Sequence, residues 1–227
     1  TIFRYDARGR VTKVTNELNE TVRYKYDGAG NLVEKVDPKG NKTRYKYDKR
    51  NRLVKKINPG GEETKFSYDA AGNLVKKVDP EGNATKYSYD LKGRLVKETN
   101  PAGNSISYNY DAADNLISKT NKAGVTTKYK YDKLNRLVQI LDSQGNKTKL
   151  GYTSRGKVAW KEDALGNRVK FKYDAVNRLV KKIDAEGNAI TYSYDKAGNL
   201  IAKTDKLGNT TKYHYDKLNR RVEIIDP

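Results

Sequence analysis

A tyrosine that returns every 21 residues limits this chain more than any other feature. It stands at Tyr5, Tyr26, Tyr47, Tyr68, Tyr89, Tyr110, Tyr131, Tyr152, Tyr173, Tyr194 and Tyr215, and aspartate follows it everywhere except at Thr153. A fixed period of this length marks a repeat architecture in which each unit packs against its neighbours and does not stand alone. With the tyrosine as position 1, the unit reads Y-D-x-x-(G/N)-(N/R)-L-V-x-K-(V/I/T)-(D/N)-x-x-G-N-x-T-x-Y-x. The array covers 1–227 as a single domain of about eleven units.

Each unit holds two short stretches of strand character separated by two turns. Position 5 is Gly, Asn or Asp throughout, as at Gly30, and position 15 is Gly except at Asn19, as at Gly40. These residue types tolerate a left-handed backbone. Preceded by Asp27 and Asp37, both segments suit a type I turn closed by a left-handed residue. The expected fold is all-β: a meander of 21-residue hairpin repeats, about 21 strands in one continuous coiled antiparallel sheet forming a spiral, tube or shell wall.

Strand alternation puts positions 18, 20 and the next tyrosine on one face, which gathers the tyrosines and phenylalanines into two columns. Tyr26, Tyr45, Tyr47, Tyr68, Tyr87, Tyr89, Tyr129 and Tyr131 belong to them and are expected to stack and hold the sheet. Leu32 and Val36 are expected on one face of the other strand, with Val33 and Lys35 on the opposite one. An odd period conflicts with simple alternation, so each unit must contain one odd and one even loop, or one bulge.

Read down the columns, the units alternate. Position 6 is Arg in every second unit (Arg10, Arg52, Arg94, Arg136, Arg178, Arg220) and mostly Asn in the others, which makes a working period of 42 residues. An 84-residue echo links the segments from Tyr108 and Tyr192, and either duplication history or four units per superhelical turn accounts for it. The unit at 152 is irregular: Leu150 replaces an aromatic, Thr153 an Asp and Lys157 an Asn, while Trp160 enters a column that is most often Lys. Drift in one repeat, or a notch for a partner, accounts for that.

Tyr68-Asp69-Ala70-Ala71-Gly72-Asn73-Leu74 and Asp79-Pro80-Glu81-Gly82-Asn83 are specific motifs, and through them the whole chain resembles the tyrosine-aspartate (YD) or RHS repeat family, which includes the teneurins. The resemblance implies a segment of a large secreted or surface-attached protein whose repeats build shells, some of them around toxic C-terminal domains. With no methionine anywhere, the sequence is itself expected to be a piece of a longer product.

The residues argue against an enzyme. There is no Cys, and the single histidine, His214, sits in a column otherwise held by Lys, Arg, Ser, Asn or Gly, so it reads as a solvated substitution. Most aspartates begin turns, where a carboxylate accepting backbone amide hydrogens is the ordinary role. Those turns offer oxygens like the ones that hold calcium in some solenoids, but a net charge of +19 repels cations. Asn41, Asn83, Asn146 and Asn209 start Asn-x-Thr triplets that the repeat itself generates. No cofactor is expected, and no apolar run approaches a membrane span.

The charge does point to a class of partner. Position 19 is basic at Arg23, Arg44, Lys65, Lys86, Lys128, Lys149, Lys170 and Lys212, a ladder with rungs two strands, or ~10 Å, apart. Single-stranded nucleic acid needs aromatics between the charges, and here they face the other way, so acidic polysaccharide is the expected polyanion and nucleic acid is not. The leading expectation is a non-catalytic extracellular or cell-surface scaffold, a rod, tube or fibre that continues by self-association of the same repeats. The alternatives are a wall fragment of a toxin-encapsulating shell and a surface module binding acidic glycans.

Overall fold

The computed structural model describes residues 1–227 and contains strands and turns but no helix. The chain divides into two compact units, Thr1–Tyr108 with Asn121–Ala123, and Asn109–Thr120 with Gly124–Pro227. The first contains β1 (Ile2–Tyr5), β2 (Val11–Thr15), β3 (Thr21–Tyr26), β4 (Leu32–Val36), β5 (Lys42–Tyr47), β6 (Leu53–Ile57), β7 (Glu63–Tyr68), β8 (Leu74–Val78), β9 (Ala84–Tyr89), β10 (Leu95–Thr99) and the first residues of β11 (Ser105–Tyr110). The second contains β12 (Leu116–Thr120), β13 (Thr126–Tyr131), β14 (Leu137–Leu141), β15 (Lys147–Tyr152), β16 (Val158–Glu162), β17 (Arg168–Tyr173), β18 (Leu179–Ile183), β19 (Ala189–Tyr194), β20 (Leu200–Thr204), β21 (Thr210–Tyr215) and β22 (Arg221–Ile225). Within each unit, strands pair antiparallel with their neighbours in sequence, as the hairpin repeat requires.

Both turns close as the residue types dictate. In the first, the Gly30 amide donates to the Asp27 carbonyl at 3.1 Å and the Asp27 amide to the Asn31 carbonyl at 2.9 Å; in the second, Gly40 and Asp37 repeat the pattern at 3.0 Å each. Gly30 has φ +96° and Gly40 φ +86°, and where the turn residue is not glycine, as at Asn51 (φ 61°) and Asp114 (φ 68°), it takes the same left-handed backbone. The two loops, Asp27–Asn31 and Asp37–Asn41, have the same length. Loop length therefore does not absorb the odd period.

A β-bulge absorbs it, at the same place in each hairpin. Lys25 pairs with Glu34 and Tyr26 with Leu32, so Val33 has no partner across the strand. The shift recurs between Lys46 and Tyr47, between Ser67 and Tyr68, and between Lys172 and Tyr173. One extra residue restores the inward set of the next strand.

The bulge corrects the expected faces of the shorter strands. Leu32 lies opposite Tyr26 and Lys35 opposite Tyr24, whereas Val36 lies opposite Arg23 and Glu34 opposite Lys25. Leu32 and Val36 are thus on opposite faces, because the bulge falls between them. One face carries the aromatic columns together with a second column of lysines, Lys56 across from Tyr45, Lys77 from Phe66 and Lys182 from Phe171. The other carries the position-19 cations. Aromatics and lysines are therefore not wholly segregated.

Stacking also takes a different form from the expected one. Rings of one column lie two strands apart, ~10 Å, too far for contact. The stacked pair Phe3 and Tyr5, at 6.5 Å, comes from a single strand. The position-1 tyrosines instead reach sideways: the Tyr47 hydroxyl donates to the Leu32 carbonyl at 2.9 Å, Tyr68 to Leu53 at 2.8 Å and Tyr173 to Val158 at 3.0 Å. Each accepting carbonyl belongs to the residue beside the bulge of the preceding hairpin, where the ladder is interrupted. The hydroxyl gives that carbonyl a donor on the side where its strand's ladder with the next one has ended, as beyond Glu34 and Arg44.

No side chain in the protein is fully buried. Tyrosines, leucines and valines of the repeat are half-covered by their cross-strand neighbours, and stability rests on those pairs and on turn hydrogen bonds rather than on a core. Replacing Tyr68 by Phe is expected to cost about 1 kcal/mol, because the half-buried Leu53 carbonyl loses its donor. Tyr5, 58% exposed, makes no such bond, so Tyr5→Phe should be neutral. Equilibrium denaturant unfolding of the two variants makes the comparison.

Candidate functional site

Two surfaces collect the polar groups: the ridge formed by the first turn of each unit, and the basic face. On the ridge, the Asp27 carboxylate accepts the Asn31 amide at 2.8 Å and the Asn31 side chain at 3.0 Å. Asp37 is held in the same way by Asn41, with both bonds at 2.8 Å. The aspartate oxygens are engaged by N–H donors within their own turns. No group of three His, Cys, Asp or Glu side chains is arranged to hold a metal ion. The Asn-x-Thr asparagines Asn41, Asn83, Asn146 and Asn209 all donate their side-chain amide to the aspartate that opens the turn.

These bonds keep the carboxylates ionised. The Asn31 side chain, helped by its backbone amide, holds Asp27 below the usual aspartate range, and the Arg10 guanidinium does the same for Asp6. Asn188 and Arg136 act alike on Asp184 and Asp132. On the aromatic face, burial pushes the Tyr47 and Tyr89 phenols up from their ordinary value.

The alternation of Arg and Asn at position 6 has a geometric cause. Arg52 donates through Nε to the Asp48 carboxylate at 2.7 Å, and Nη1 reaches the Asp69 carbonyl of the next unit at 3.1 Å. Its guanidinium lies over the Tyr68 ring, 4.8 Å from the centroid. Arg10 with Tyr26, Arg136 with Tyr152 and Arg178 with Tyr194 repeat the contact at 4.6, 4.7 and 4.8 Å. The guanidinium lies over the next unit's turn within ordinary contact distance: a Cβ on Gly30 would lie 3.6 Å from Arg10 Nη1. In the alternate units the shorter Asn31 reaches forward to the Asn51 side chain at 2.9 Å, as Asn199 does to Asn219 at 2.8 Å. Arg followed by Gly and Asn followed by Asn are the commoner combinations, while Asn73 precedes Gly93 and Arg94 precedes Asp114. The sequence displays the alternation, but its target, the neighbouring tyrosine, is visible only in three dimensions.

The irregular unit is internally matched. Trp160 lies against Gly151, where a side chain would collide with the indole. The Arg168 guanidinium covers the ring at 4.1 Å, and Glu162 bridges Arg168 at 2.6 Å and Lys149 at 3.0 Å. Gly151 and Trp160 thus compensate each other. Leu150 keeps the aromatic column's place, opposite Lys161.

All eight position-19 cations are exposed and share the face opposite the tyrosines. Arg44 pairs with Glu34 at 3.6 Å, Lys65 with Glu63 at 3.5 Å and Lys149 with Glu162. Sequence reading missed that the register brings positions 9 and 21 alongside this column, as in Lys46 opposite Lys55 opposite Lys65. The bulge sets that register, and the sequence does not place the bulge. His214 is exposed, opposite Glu223.

Two predictions follow from the ridge. The aspartate pKa values are lowered on folding, so the stability they contribute is complete above about pH 4, the ordinary aspartate value, and is lost as pH falls through the lower folded values. Thermal midpoints should be level from neutral pH to about pH 5 and fall steeply below about pH 4. Arg52→Asn is expected to cost about 1–2 kcal/mol in chemical unfolding through the lost ion pair and ring contact, whereas Arg220→Asn, at an arginine 72% exposed, should be nearly neutral.

The family model described as teneurin YD-shell matches residues 1–164 and 78–226. Among solved structures, the Photorhabdus luminescens Tc holotoxin pore aligns with a TM-score of 0.63 at 16% identity, over 98% of this chain and 15% of that one. The TcdB2-TccC3 complex without its hypervariable C-terminal region aligns with a TM-score of 0.48 at 14% identity, over 98% of this chain and 18% of that one. The chain thus spans less than a fifth of the length of either. No curated protein matches the sequence.

Proposed function

The chain belongs to the teneurin YD-shell family, and on that premise we propose that it is a length of wall in a larger scaffold of the same repeats, secreted or attached to a cell surface and without catalysis of its own. What supports this role above all is the absence of any buried side chain from 227 residues. A chain of this size that folded for itself alone would enclose a core. Here half-covered tyrosines and leucines on one face are spread over hairpin after hairpin, which suits a partition that gains its interior by continuing. The network of aspartates, arginines, asparagines and tyrosines acts between successive hairpins, and alternate units repeat the same contacts. It specifies shape.

Chemistry has little to work with. A groove of about 480 Å³ between Thr153, Arg155, Phe171, Tyr173 and Asn177 is lined by an arginine and an aspartate already engaged with backbone. No lowered or raised pKa falls on a pair of groups poised to exchange protons. Two continuations of the wall fit the repeat. One is a rod, tube or fibre made by end-to-end association of repeat segments; the other is a shell that encloses a C-terminal domain such as a toxin.

Electron micrographs of the full-length protein are the direct test. Hollow particles or extended rods and fibres are expected, and the two forms separate the continuations. Solid compact particles, or turnover of a substrate by the purified chain, would contradict the role of an inert wall.

A further inference from the structure

Gly151 answers Trp160, but packing does not account for the three departures in the turn that follows. Thr153 opens the one first turn in the chain without a carboxylate, and Arg155 and Lys157 stand where the units beginning at Tyr26, Tyr68 and Tyr194 have alanine and asparagine. The turn keeps its shape without the acid: Thr153 Oγ1 accepts the Lys157 amide hydrogen at 3.2 Å, as the Asp27 carboxylate accepts that of Asn31 at 2.8 Å. What changes is charge. Arg155 is fixed by donating through Nη1 to the Ala175 carbonyl of the next turn, the bond that Arg8 makes to Gly28 and Arg50 to Ala70, and its other guanidinium donors stay open. Lys157 is exposed and has no carboxylate in its own turn to pair with. Asn51, Asn135 and Asn219 each accept a hydrogen bond from the asparagine one unit before, whereas their counterpart Asn177 follows this lysine.

The altered turn borders the groove of about 480 Å³, a size ordinary for a small-ligand site, whose lining includes Thr153, Ser154, Arg155, Phe171, Tyr173 and Asn177. Phe171 and Tyr173 alternate along β17 and present half-buried rings to the same face. The Tyr173 hydroxyl is tied to the Val158 carbonyl at 3.0 Å. Arginines at position 6 cover Tyr152 and Tyr194 in the flanking units, but ahead of Tyr173 that position is Lys157. The carboxylate in the groove, Asp174, is neutralised by Arg178 at 2.6 Å. We propose that this groove binds a small phosphorylated ligand with a flat aromatic body, its phosphate held by Arg155, Lys157 and the Thr153 and Ser154 hydroxyls and its ring laid against Phe171 and Tyr173. A guanidinium fork, an ammonium and two hydroxyls offer more donors than the two oxygens of a carboxylate can take, and they suit the three oxygens and double charge of a phosphate ester. The rings supply the apolar wall. A polyanionic chain would need open cations at the next turn as well, and there Arg178 is already paired. Such a site is independent of the wall role.

Phenyl phosphate is the probe, titrated calorimetrically into the whole chain, with benzoate and inorganic phosphate in parallel. One equivalent of phenyl phosphate is expected to bind, at least about tenfold more tightly than either of the others. Restoring the repeat with Thr153→Asp, Arg155→Ala and Lys157→Asn should weaken it at least about tenfold while the thermal midpoint stays level, since each residue introduced occurs at its position in other units. A control of equal charge change on the basic face, Lys128→Gln, Lys130→Gln and Lys147→Gln, should change affinity less than about twofold. Phe171→Leu, a residue that the column already accepts at Leu150, should weaken phenyl phosphate about threefold and leave inorganic phosphate unchanged. Equal losses in the two triple variants would show that net charge alone binds, and would overturn the proposal. So would the absence of saturable binding, or inorganic phosphate or benzoate binding as tightly as phenyl phosphate.

Discussion

The hydrogen bond from each position-1 tyrosine hydroxyl to the carbonyl beside the preceding bulge is the contact on which the repeat depends. An odd period forces a bulge, and the residue before it, as at Leu32, lies where the ladder with the following strand has broken off beyond Glu34 and Arg44. Tyr47, Tyr68 and Tyr173 repair that break from the next strand, so the same side chain both fills the aromatic face and ties one hairpin to the one before it. Phenylalanine would cover the surface equally well but could not donate. That is a physical reason for tyrosine at position 1, while position 20 holds Phe66 and Phe171 as readily as Tyr45.

The ridge of first turns carries the second set of links. Arginine at position 6 binds the aspartate of its own turn and covers the tyrosine of the next, so two units share one cation. The turn that follows such an arginine is glycine at Gly30 and Gly72, within ordinary contact distance of the guanidinium, and aspartate at Asp114 after Arg94. Where asparagine replaces arginine the reach is shorter, and asparagine in the following turn meets it. The 42-residue period is thus a rule about neighbours rather than two kinds of hairpin.

Much of this was legible in the sequence. Gly30, Gly40 and Asn51 announce left-handed turn positions whatever surrounds them, because local sterics decide the matter, and the tyrosine period announces the repeat. The bulge was legible only as a requirement. Val33 looks like any strand residue, and nothing in its neighbours says that it, rather than a loop, absorbs the odd count. Everything that depends on register was lost with it: the opposite faces of Leu32 and Val36, the lysines set across from Tyr45 and Phe66, and the joining of Lys46 and Lys55 to the column of Lys65. Trp160 likewise read as drift because its partners, Gly151 and Arg168, lie on the flanking strands.

A sheet without an enclosed core faces a problem that its charge helps to solve. Half-covered tyrosines and leucines on every hairpin would invite association of sheets face to face, and a dense population of cations on both faces opposes it. On the aromatic face the lysines lie across from single rings, where their stems cover apolar surface and their ammonium groups stay in water. On the basic face the same logic does not account for Lys55 opposite Lys65 or Lys76 opposite Lys86, because serine or glutamine there would keep the sheet soluble without the repulsion. Solubility explains the number of lysines, then, but not this placement. Like charges also face one another outside that stretch, Lys13 opposite Arg23 and Lys172 opposite Lys181, so the placement follows from the register that the bulge sets in every hairpin of this kind.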